Sequence, residues 1–428
     1  MVVGLGLALV ILTVPLGYLV TGAGVVAGVG ALVVLVAALF VVRPVTRWVA
    51  LTLVAVGVLA LAWAMLLGAR PGPAQLTSLN QGVVGMLAAV SFTRLVTVRQ
   101  QESPAHERHA GRVALWRTSG LVHGLGSVIN LAAVDIVGGH LGRGRPRLAL
   151  LDGLLLSRSF SVAAFWSPFW ASSATAIAYA PRADTVLLVL CGGVLAVLAL
   201  ALSLVLLQRR FPEESADYEG YAVTPRMLLL PVSLLLCVLV GHAAAPGLPV
   251  STVVLLSALL VSVVLGARML RGDLPRALGR HVVRGLPRLR GEAALFVAAG
   301  VLSVGLSVLV GQLGVQAPVR EFTVLVAWVC VLAMTALSVV GIHPIISIAM
   351  VAVLMAPTQP DPTLFALSAT IAWGASASVG PVSGLNVYLA GRFGLNGFQV
   401  ARSNAGHVLL VLALALPALM LCGALVSL

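Results

Sequence analysis

Two short stretches of this 428-residue chain set its organisation. Residues 126–136 read GSVINLAAVDI, and residues 343–353 read HPIISIAMVAV. After a short polar break, each is followed by a second apolar segment with a proline in its middle. These segments are residues 157–180, interrupted at Ser167-Pro168, and residues 368–390, interrupted at Gly380-Pro381. Because proline removes a helical hydrogen bond, the pattern predicts two broken helices, one in each half of the chain.

Composition sets the class of protein. Hydrophobic residues make up 60% of the chain and charged residues 9%, so lipid is the expected solvent. The basic residues number 26 against 13 acidic ones, and all of them are arginine. The arginines concentrate in loops between apolar segments, which explains the net charge of +13 without a nucleic-acid partner. The four cysteines lie far apart within apolar segments and predict neither a disulfide nor a metal site.

Segments long enough to cross a bilayer recur along the whole chain. The continuous segments are 2–20, 24–42, 49–68, 79–96, 185–207, 227–244, 250–267, 292–312 and 405–428. Residues 118–141 have arginines on both flanks and should enter and leave on the same side, as a re-entrant hairpin. Residues 321–356 are too long for one crossing and should break at residues 341–344. The interrupted segments 148–180 and 363–390 complete the set.

The arginine-rich loops orient the spans. We expect the loops at 43–47, 94–117, 143–147, 209–210 and 268–290 on the cytoplasmic side of the cell inner membrane, with a cytoplasmic N-terminus. The two halves then have the same pattern and opposite orientations. The predicted fold is an all-α polytopic membrane protein of about 11 spans, with about five spans and one re-entrant hairpin in each inverted repeat. The predicted domains are an extra helix (1–23), the first repeat (24–207), a cytoplasmic linker (208–226) and the second repeat (227–428).

The hairpins and broken helices carry polar residues that support a comparison with known transporters. The first hairpin contains Ser127 and Asn130, and the second contains Ser347. The stretch from Pro381 to Asn386, PVSGLN, pairs proline closely with asparagine, and residues 168–175 form a degenerate counterpart. This organisation resembles the ion transporter superfamily, which includes divalent anion:sodium symporters and arsenite permeases. The resemblance implies an elevator-like carrier that works as a homodimer.

Hydroxyl and amide side chains near the two breaks are candidate ligands, because interrupted helices present backbone groups and partial charges to ions. Packing of small residues between helices is the alternative explanation. The candidates for substrate binding are Ser127, Asn130, Arg158, Ser172, Ser173, Thr175, Ser347, Ser378, Ser383 and Asn386. The candidates for ion coupling are Asp135, Asn130 and Asn386.

Charged residues inside predicted spans are functional hypotheses by default. Asp135 lies on the return arm of the first hairpin, where burial would favour its protonated form. Arg158 lies about 15 Å along its helix, near the bilayer centre. It needs either Asp135 or an anionic substrate as partner, and the sequence leaves both open. Asp152 is closer to the arginine loop, where we expect a surface salt bridge.

The combined pattern predicts a secondary transporter of a small anion, a carboxylate or an inorganic oxyanion, with sodium or protons as the coupling ion and no other cofactor. A cation/proton antiporter using Asp135 is the first alternative. A polytopic membrane enzyme acting on lipid is the alternative from another class, and the short loops argue against it. Membrane lipid is a further expected partner, because the arginine-rich residues 268–290 are amphipathic and should lie along the cytoplasmic surface.

Overall fold

The computed structural model describes residues 1–20, 22–96, 110–143, 147–221, 229–314 and 316–427. Arg145, most of the loop 94–117 and part of the linker 208–226 therefore lie outside the described residues. Within them the chain is helical, with an isolated β-bridge between Ala110 and Glu219. Six helices are long and apolar enough to cross a membrane, and shorter apolar helices accompany them. The protein thus has the all-helical, polytopic character that its composition predicts.

The helices follow the predicted segments closely. In chain order they are α1 (Val2–Leu16), α2 (Ala23–Leu39), α3 (Pro44–Leu66), α4 (Pro73–Leu76), α5 (Gln81–Val90), α6 (Gly111–Ile129), α7 (Leu131–Leu141), α8 (Leu150–Ser161), α9 (Ala171–Tyr179), α10 (Thr185–Arg210), α11 (Pro212–Ala216), α12 (Leu229–Ala244), α13 (Val250–Leu270), α14 (Leu274–Arg280), α15 (Arg290–Leu313), α16 (Val324–Val339), α17 (Pro344–Met355), α18 (Pro362–Val379), α19 (Gly384–Phe393), α20 (Gly397–Ser403) and α21 (Ala405–Val426).

The chain folds into two compact units, and each draws on both halves of the sequence. Unit 1 comprises Met1–Val96, Leu236–Glu321 and Ile348–Gln359. Unit 2 comprises Thr97–Leu235, Phe322–Ser347 and Pro360–Leu428. The predicted repeats follow one another along the chain, whereas these units interleave. The boundaries of the two compact units therefore differ from those of the predicted repeats.

Unit 1 is held together by close helix crossings. The contact between α3 and α15 is the most extensive in the molecule. At its centre Gly57 lies against the backbone at Val301 and Leu302, and Gly305 lies against the backbone of Gly57. A Cβ atom at Gly57 or Gly305 would collide with the facing helix, so only glycine permits this approach. Small residues serve the same purpose where membrane helices pack.

The basic residues between α13 and α15 in unit 1 are helical throughout. A 3-10 turn (Arg271–Asp273), α14, a π-helical turn (His281–Gly285) and a second 3-10 turn (Leu286–Leu289) lead directly into α15. The side chain of His281 is buried, with its Nε2 atom 2.8 Å from Ser91 Oγ. Gly4, in the first turn of α1, packs against Val282 and Pro287. One face of this segment therefore packs on the ends of other helices.

Unit 2 is built around α18, which is almost wholly buried. This helix packs against α16, α21, α10 and α9. Its first turn is capped by Asp361, whose Oδ1 accepts hydrogen bonds from the backbone of Thr363 and Leu364 at 2.9 and 2.8 Å. Asp184 caps α10 in the same way, at 2.8 and 3.0 Å. Aspartate side chains thus satisfy the free N–H groups at both helix starts.

The predicted interruptions are confirmed. The first interrupted segment consists of α8, a 3-10 turn (Val162–Phe165) and α9, and we call its non-helical residues 166–170 the first break. The second consists of α18 and α19, separated by the second break at residues 380–383. The long segment 321–356 breaks between α16 and α17 at the expected place, but the division between the two compact units falls within α17, after Ser347, so the second hairpin predicted there is not contained in one unit. The hairpin predicted at 118–141 begins earlier, at Gly111.

Candidate functional site

The tip of the first hairpin packs on the first break. Helices α6 and α7 pack together and reverse direction at Asn130, whose φ of 51° lies in the left-handed region. The Asn130 Nδ2 atom donates to the carbonyl of Phe169 at 3.3 Å, and Trp170 Nε1 donates to the carbonyl of Gly126 at 2.8 Å. The Ser167 hydroxyl donates to the carbonyl of Ser127. Three contacts therefore join the hairpin tip to the break.

The predicted hydroxyl ligands around the first break all donate to nearby carbonyls. Ser172 donates to Ala164 at 2.8 Å, and Ser173 donates to Ser167 at 2.7 Å. Thr175 and Ser127 donate within their own helices, at 2.7 and 2.8 Å. All four side chains are buried. The acceptors of Ser172 and Ser173 lie at the interruption, so these two residues stabilise the break itself, whereas Thr175 and Ser127 bond within intact helix.

The second break is bridged by Asn386. Its Nδ2 atom donates to the carbonyls of Ser378 and Gly380, at 3.1 and 2.9 Å, which joins α19 back to the end of α18. The Ser383 hydroxyl donates to the carbonyl of Ala377 at 2.7 Å and accepts from the Asn386 amide nitrogen at 3.2 Å. Ser378 and Ser347 donate their hydroxyl protons within their own helices, both at 3.0 Å.

Two buried oxygen atoms near the second break have no hydrogen-bond partner among the described residues. They are Oδ1 of Asn386 and Oγ of Ser376, and both side chains are fully buried. The two bonds from Nδ2 fix the orientation of the Asn386 amide, so its Oδ1 atom must point the other way. A buried acceptor without a donor is costly, which makes both oxygens candidates for contact with a bound ion or solute.

The two interrupted helices meet in unit 2. The hydroxyl of Thr370, on α18, donates to the carbonyl of Phe165 at 3.1 Å, immediately before the first break. Gly374 lies one turn further along α18, against the Phe165 ring and the carbonyl of Ser161. A side chain at Gly374 would collide with both. Segments about 200 residues apart in sequence are thereby brought into direct contact.

Arg158 is buried among neutral partners. Its Nε atom donates to Asn404 Oδ1 at 2.9 Å, its Nη1 atom to Ser203 Oγ at 3.2 Å, and its Nη2 atom to the carbonyl of Ser403 at 3.0 Å. The side chain is only 5% exposed. Within the described part of the chain, no carboxylate forms an ion pair with it. These partners hold the guanidinium in place, and none of the three carries a negative charge.

Asn404 connects Arg158 to the second break. Its Nδ2 atom donates to Ser157 Oγ at 2.9 Å and to the carbonyl of Ser378 at 3.1 Å. The Ser378 carbonyl therefore accepts from both Asn386 and Asn404. Sequence reasoning missed Asn404 because it lies directly before the apolar run of α21, where a polar residue indicates a helix start. Its burial depends on the preceding short helix, α20, packing against α18 and α19.

The alternative in which Asp135 pairs with Arg158 is wrong. Asp135 Oδ1 instead accepts from Arg392 Nε at 2.9 Å, and the two side chains are 35% and 56% exposed. Asp135 is thus neither isolated nor deeply buried, because α7 places it beside the polar end of α19. Asp152, expected in a salt bridge at the surface, does not lie at the surface. Its side chain is buried and lines a cavity that includes Arg143.

His123 and His343 both form hydrogen bonds that stabilise the surrounding structure. His123 Nδ1 lies 3.2 Å from the carbonyl of Ser159, and its Nε2 lies 3.2 Å from Trp166 Nε1. The carbonyl can only accept and the indole can only donate, so a neutral ring protonated at Nδ1 satisfies both contacts. His343 Nδ1 accepts from the backbone nitrogen of Ile345 at 3.2 Å, and its ring meets Trp373 edge-on. No group of metal-binding side chains was found among the described residues.

Comparison with known proteins adds no assignment. No known protein family matches the chain, and no characterised protein is detectably similar to it in sequence.

Proposed function

We propose that this protein is a secondary active transporter that carries a small anion across the membrane together with sodium. The observation that carries the proposal is the meeting of two broken apolar helices in one compact unit, one from each half of the chain. Continuous helices satisfy their own backbone groups, whereas each break frees backbone groups for other contacts. Transporters use them to present helix ends and carbonyl groups to solutes.

The anionic character of the solute rests on Arg158. A buried guanidinium costs several kcal/mol in a membrane protein unless an anion or a strong set of acceptors faces it. Its described partners are two neutral side chains and a carbonyl, which orient the charge without neutralising it. A carboxylate or an oxyanion would supply the missing negative charge and could use the guanidinium N–H groups that remain.

The choice of sodium as the coupling ion rests on the second break. Hard cations prefer oxygen ligands, and Asn386 Oδ1 and Ser376 Oγ are buried oxygens without donors in the described chain. Proton coupling through Asp135 has weaker support, because its carboxylate already forms an ion pair with Arg392. The same ion pair between Asp135 and Arg392 also weakens the support for a cation/proton antiporter.

The two interleaved compact units support an elevator-like cycle. In such a cycle one body carries the solute while another stays fixed in the membrane, and each body is assembled from both repeats. Unit 2 holds both breaks and the first hairpin, so it is the candidate carrier, and unit 1 is the candidate support. An elevator-like carrier is also what the resemblance to the ion transporter superfamily implies. A homodimer and a location in the cell inner membrane belong to the same proposal.

Transport is tested with purified protein in sealed liposomes. Uptake of radiolabelled succinate, sulfate and arsenate is measured with an inward sodium gradient, with an inward potassium gradient and with a proton gradient alone. We expect uptake of at least one anion only with sodium. Uptake driven equally by the proton gradient would reassign the coupling ion, and no uptake of any anion would favour another function, such as an enzyme acting on lipid.

Topology is tested by single-cysteine labelling in cells. Gly142 and Ala110 lie at the two ends of the α6–α7 hairpin, away from its tip. The proposal places both ends on the cytoplasmic side, so cysteines at both positions should be protected from an impermeant reagent added outside. Labelling at only one of them would make the hairpin a membrane span and remove the inverted repeat.

A further inference from the structure

The basic segment of unit 1 presents arginines in a regular row. Arg276, Arg280, Arg284 and Arg288 follow one another at intervals of four residues, and all four side chains are exposed. Arg276 and Arg280 lie on one face of α14, because α-helical residues four apart share a face, and Arg284 and Arg288 follow in the π-helical and 3-10 turns. We call these four residues the arginine row. Residues 268–292 contain seven arginines and two acids, so the segment is strongly positive. Asp273 pairs with Arg276 at 3.7 Å, with both side chains largely exposed.

The opposite face of the segment fixes the row in place. Ala277, His281 and Leu286 are buried. The His281 ring packs on Phe92 at a centroid distance of 4.4 Å, at the end of the α5 segment. Gly4 packs on the same segment from the first turn of α1. The segment therefore runs along the ends of several apolar helices, with the four arginines of the row exposed.

Exposed aromatic residues lie near one end of the basic segment. Arg290, at the end of the segment, donates from Nε to the carbonyl of Val41 at 3.2 Å, in the connection between α2 and α3. Phe40 and Trp48, which flank this connection, are 78% and 70% exposed. Large aromatic side chains beside arginines at the end of apolar spans are typical of the headgroup layer of a bilayer.

We propose that the arginine row binds the headgroups of anionic phospholipids. Guanidinium groups donate paired hydrogen bonds to phosphate, and a row at headgroup depth meets several phosphates at once. Val283, next to Arg284 of the arginine row, is also exposed and adds an apolar side chain beside it. This inference concerns unit 1 and does not depend on the transport proposal.

Binding is measured on purified full-length protein in neutral detergent, titrated with phosphatidylglycerol that carries a fluorescent acyl chain. The test variant is R280Q/R284Q/R288Q, and the matched control is R70Q/R182Q/R320Q, which removes three exposed arginines from other loops. Each row arginine should contribute about fivefold, so the test variant should bind about 100-fold more weakly. The control should change by less than about threefold, and R280K/R284K/R288K should retain most of the affinity.

Two results would overturn the proposal. Equal losses in the test and control variants would show that only net charge matters, and unchanged affinity in the test variant would show that the row is not used. Phosphatidylcholine should bind all variants equally, and circular dichroism should show equal helix content. Added salt should weaken phosphatidylglycerol binding to the wild type far more than to the test variant.

Discussion

At the first break, the hydroxyl groups of Ser167, Ser172 and Ser173 all donate to carbonyls of the protein, and the hairpin tip closes over them. At the second break, Ser376 Oγ and Asn386 Oδ1 have no donor in the described chain. The two breaks share an outline, an apolar helix interrupted beside a proline, but they differ in what remains free. The difference teaches that the polar side chains named at the first break are satisfied by the protein itself, whereas two oxygens at the second are not, which is why the proposal places ion binding at the second break.

The largest effect is expected when the positive charge of Arg158, which Asn404 links to the second break, is removed. Arg158→Gln should reduce solute uptake roughly 100-fold or more and lower the free energy of unfolding by about 3 kcal/mol, because three buried hydrogen bonds to a charged group are lost. Arg158→Lys keeps the charge without the planar fork and should still lose at least about tenfold in affinity. Liposome uptake and denaturant unfolding measure both effects. Normal uptake by Arg158→Gln would exclude it as the anion anchor.

A matched pair of asparagines comes next. Asn386→Ala should weaken the apparent sodium affinity about tenfold or more, since it removes a candidate ligand and frees two carbonyls. Asn130→Gly is the control at the first break, because glycine tolerates the positive φ at this position. It should change sodium affinity by less than about threefold. Equal losses in both variants would make the two breaks equivalent and remove the distinction.

Two serines separate binding from stability. Ser376→Ala should not lower the free energy of unfolding, because the buried hydroxyl has no described partner to lose, and should weaken sodium affinity about fivefold. Ser173→Ala should have the opposite effects. The protein should lose about 1 kcal/mol of stability, because the hydrogen bond from Ser173 to the Ser167 carbonyl is removed, and its sodium affinity should stay the same. Thermal unfolding with and without sodium measures both quantities. The opposite assignment of effects would reverse the roles of the two breaks.

The smallest effect is expected outside both breaks. Asp135→Asn should cost less than about 1 kcal/mol of stability, because its ion pair with Arg392 is partly exposed. The dependence of uptake on pH should stay as in the wild type, since the proposal gives Asp135 no part in proton transfer. Loss of the pH dependence in a folded variant would restore Asp135 as a coupling residue.

Much of the fold could be predicted because its determinants are local. A proline within an apolar segment and arginines on both flanks of a hairpin are visible in a short window of sequence. These features predict the interruptions at Pro168 and Pro381 and the hairpin that reverses near Asn130. The start of α6 was placed too late because residues 111–117 carry arginines, which resemble loop composition, while the helix already begins there.

The candidate site was predicted only in part because its contacts are distant in sequence. Arg158 was singled out correctly as a buried charge, but its partners Ser203, Ser403 and Asn404 come from α10 and from the junction of α20 and α21. Nothing in the spacing of these residues indicates that they meet. Hydropathy likewise placed Asp135 deep in the membrane, although its neighbours leave it one-third exposed. Burial depends on packing between segments, which a single sequence does not contain.

The carbonyl of Ser378 has a consequence for the energetics of the proposed transport. It accepts one hydrogen bond from Asn404, which holds Arg158, and one from Asn386, which holds the second break. A solute that draws Arg158 toward itself would shift Asn404 and so alter how tightly Asn386 is held. Sodium at Asn386 would act on the same atom from the other side. By thermodynamic reciprocity, the factor by which sodium raises solute affinity must equal the factor by which solute raises sodium affinity, so one shared oxygen could make the two binding events cooperative.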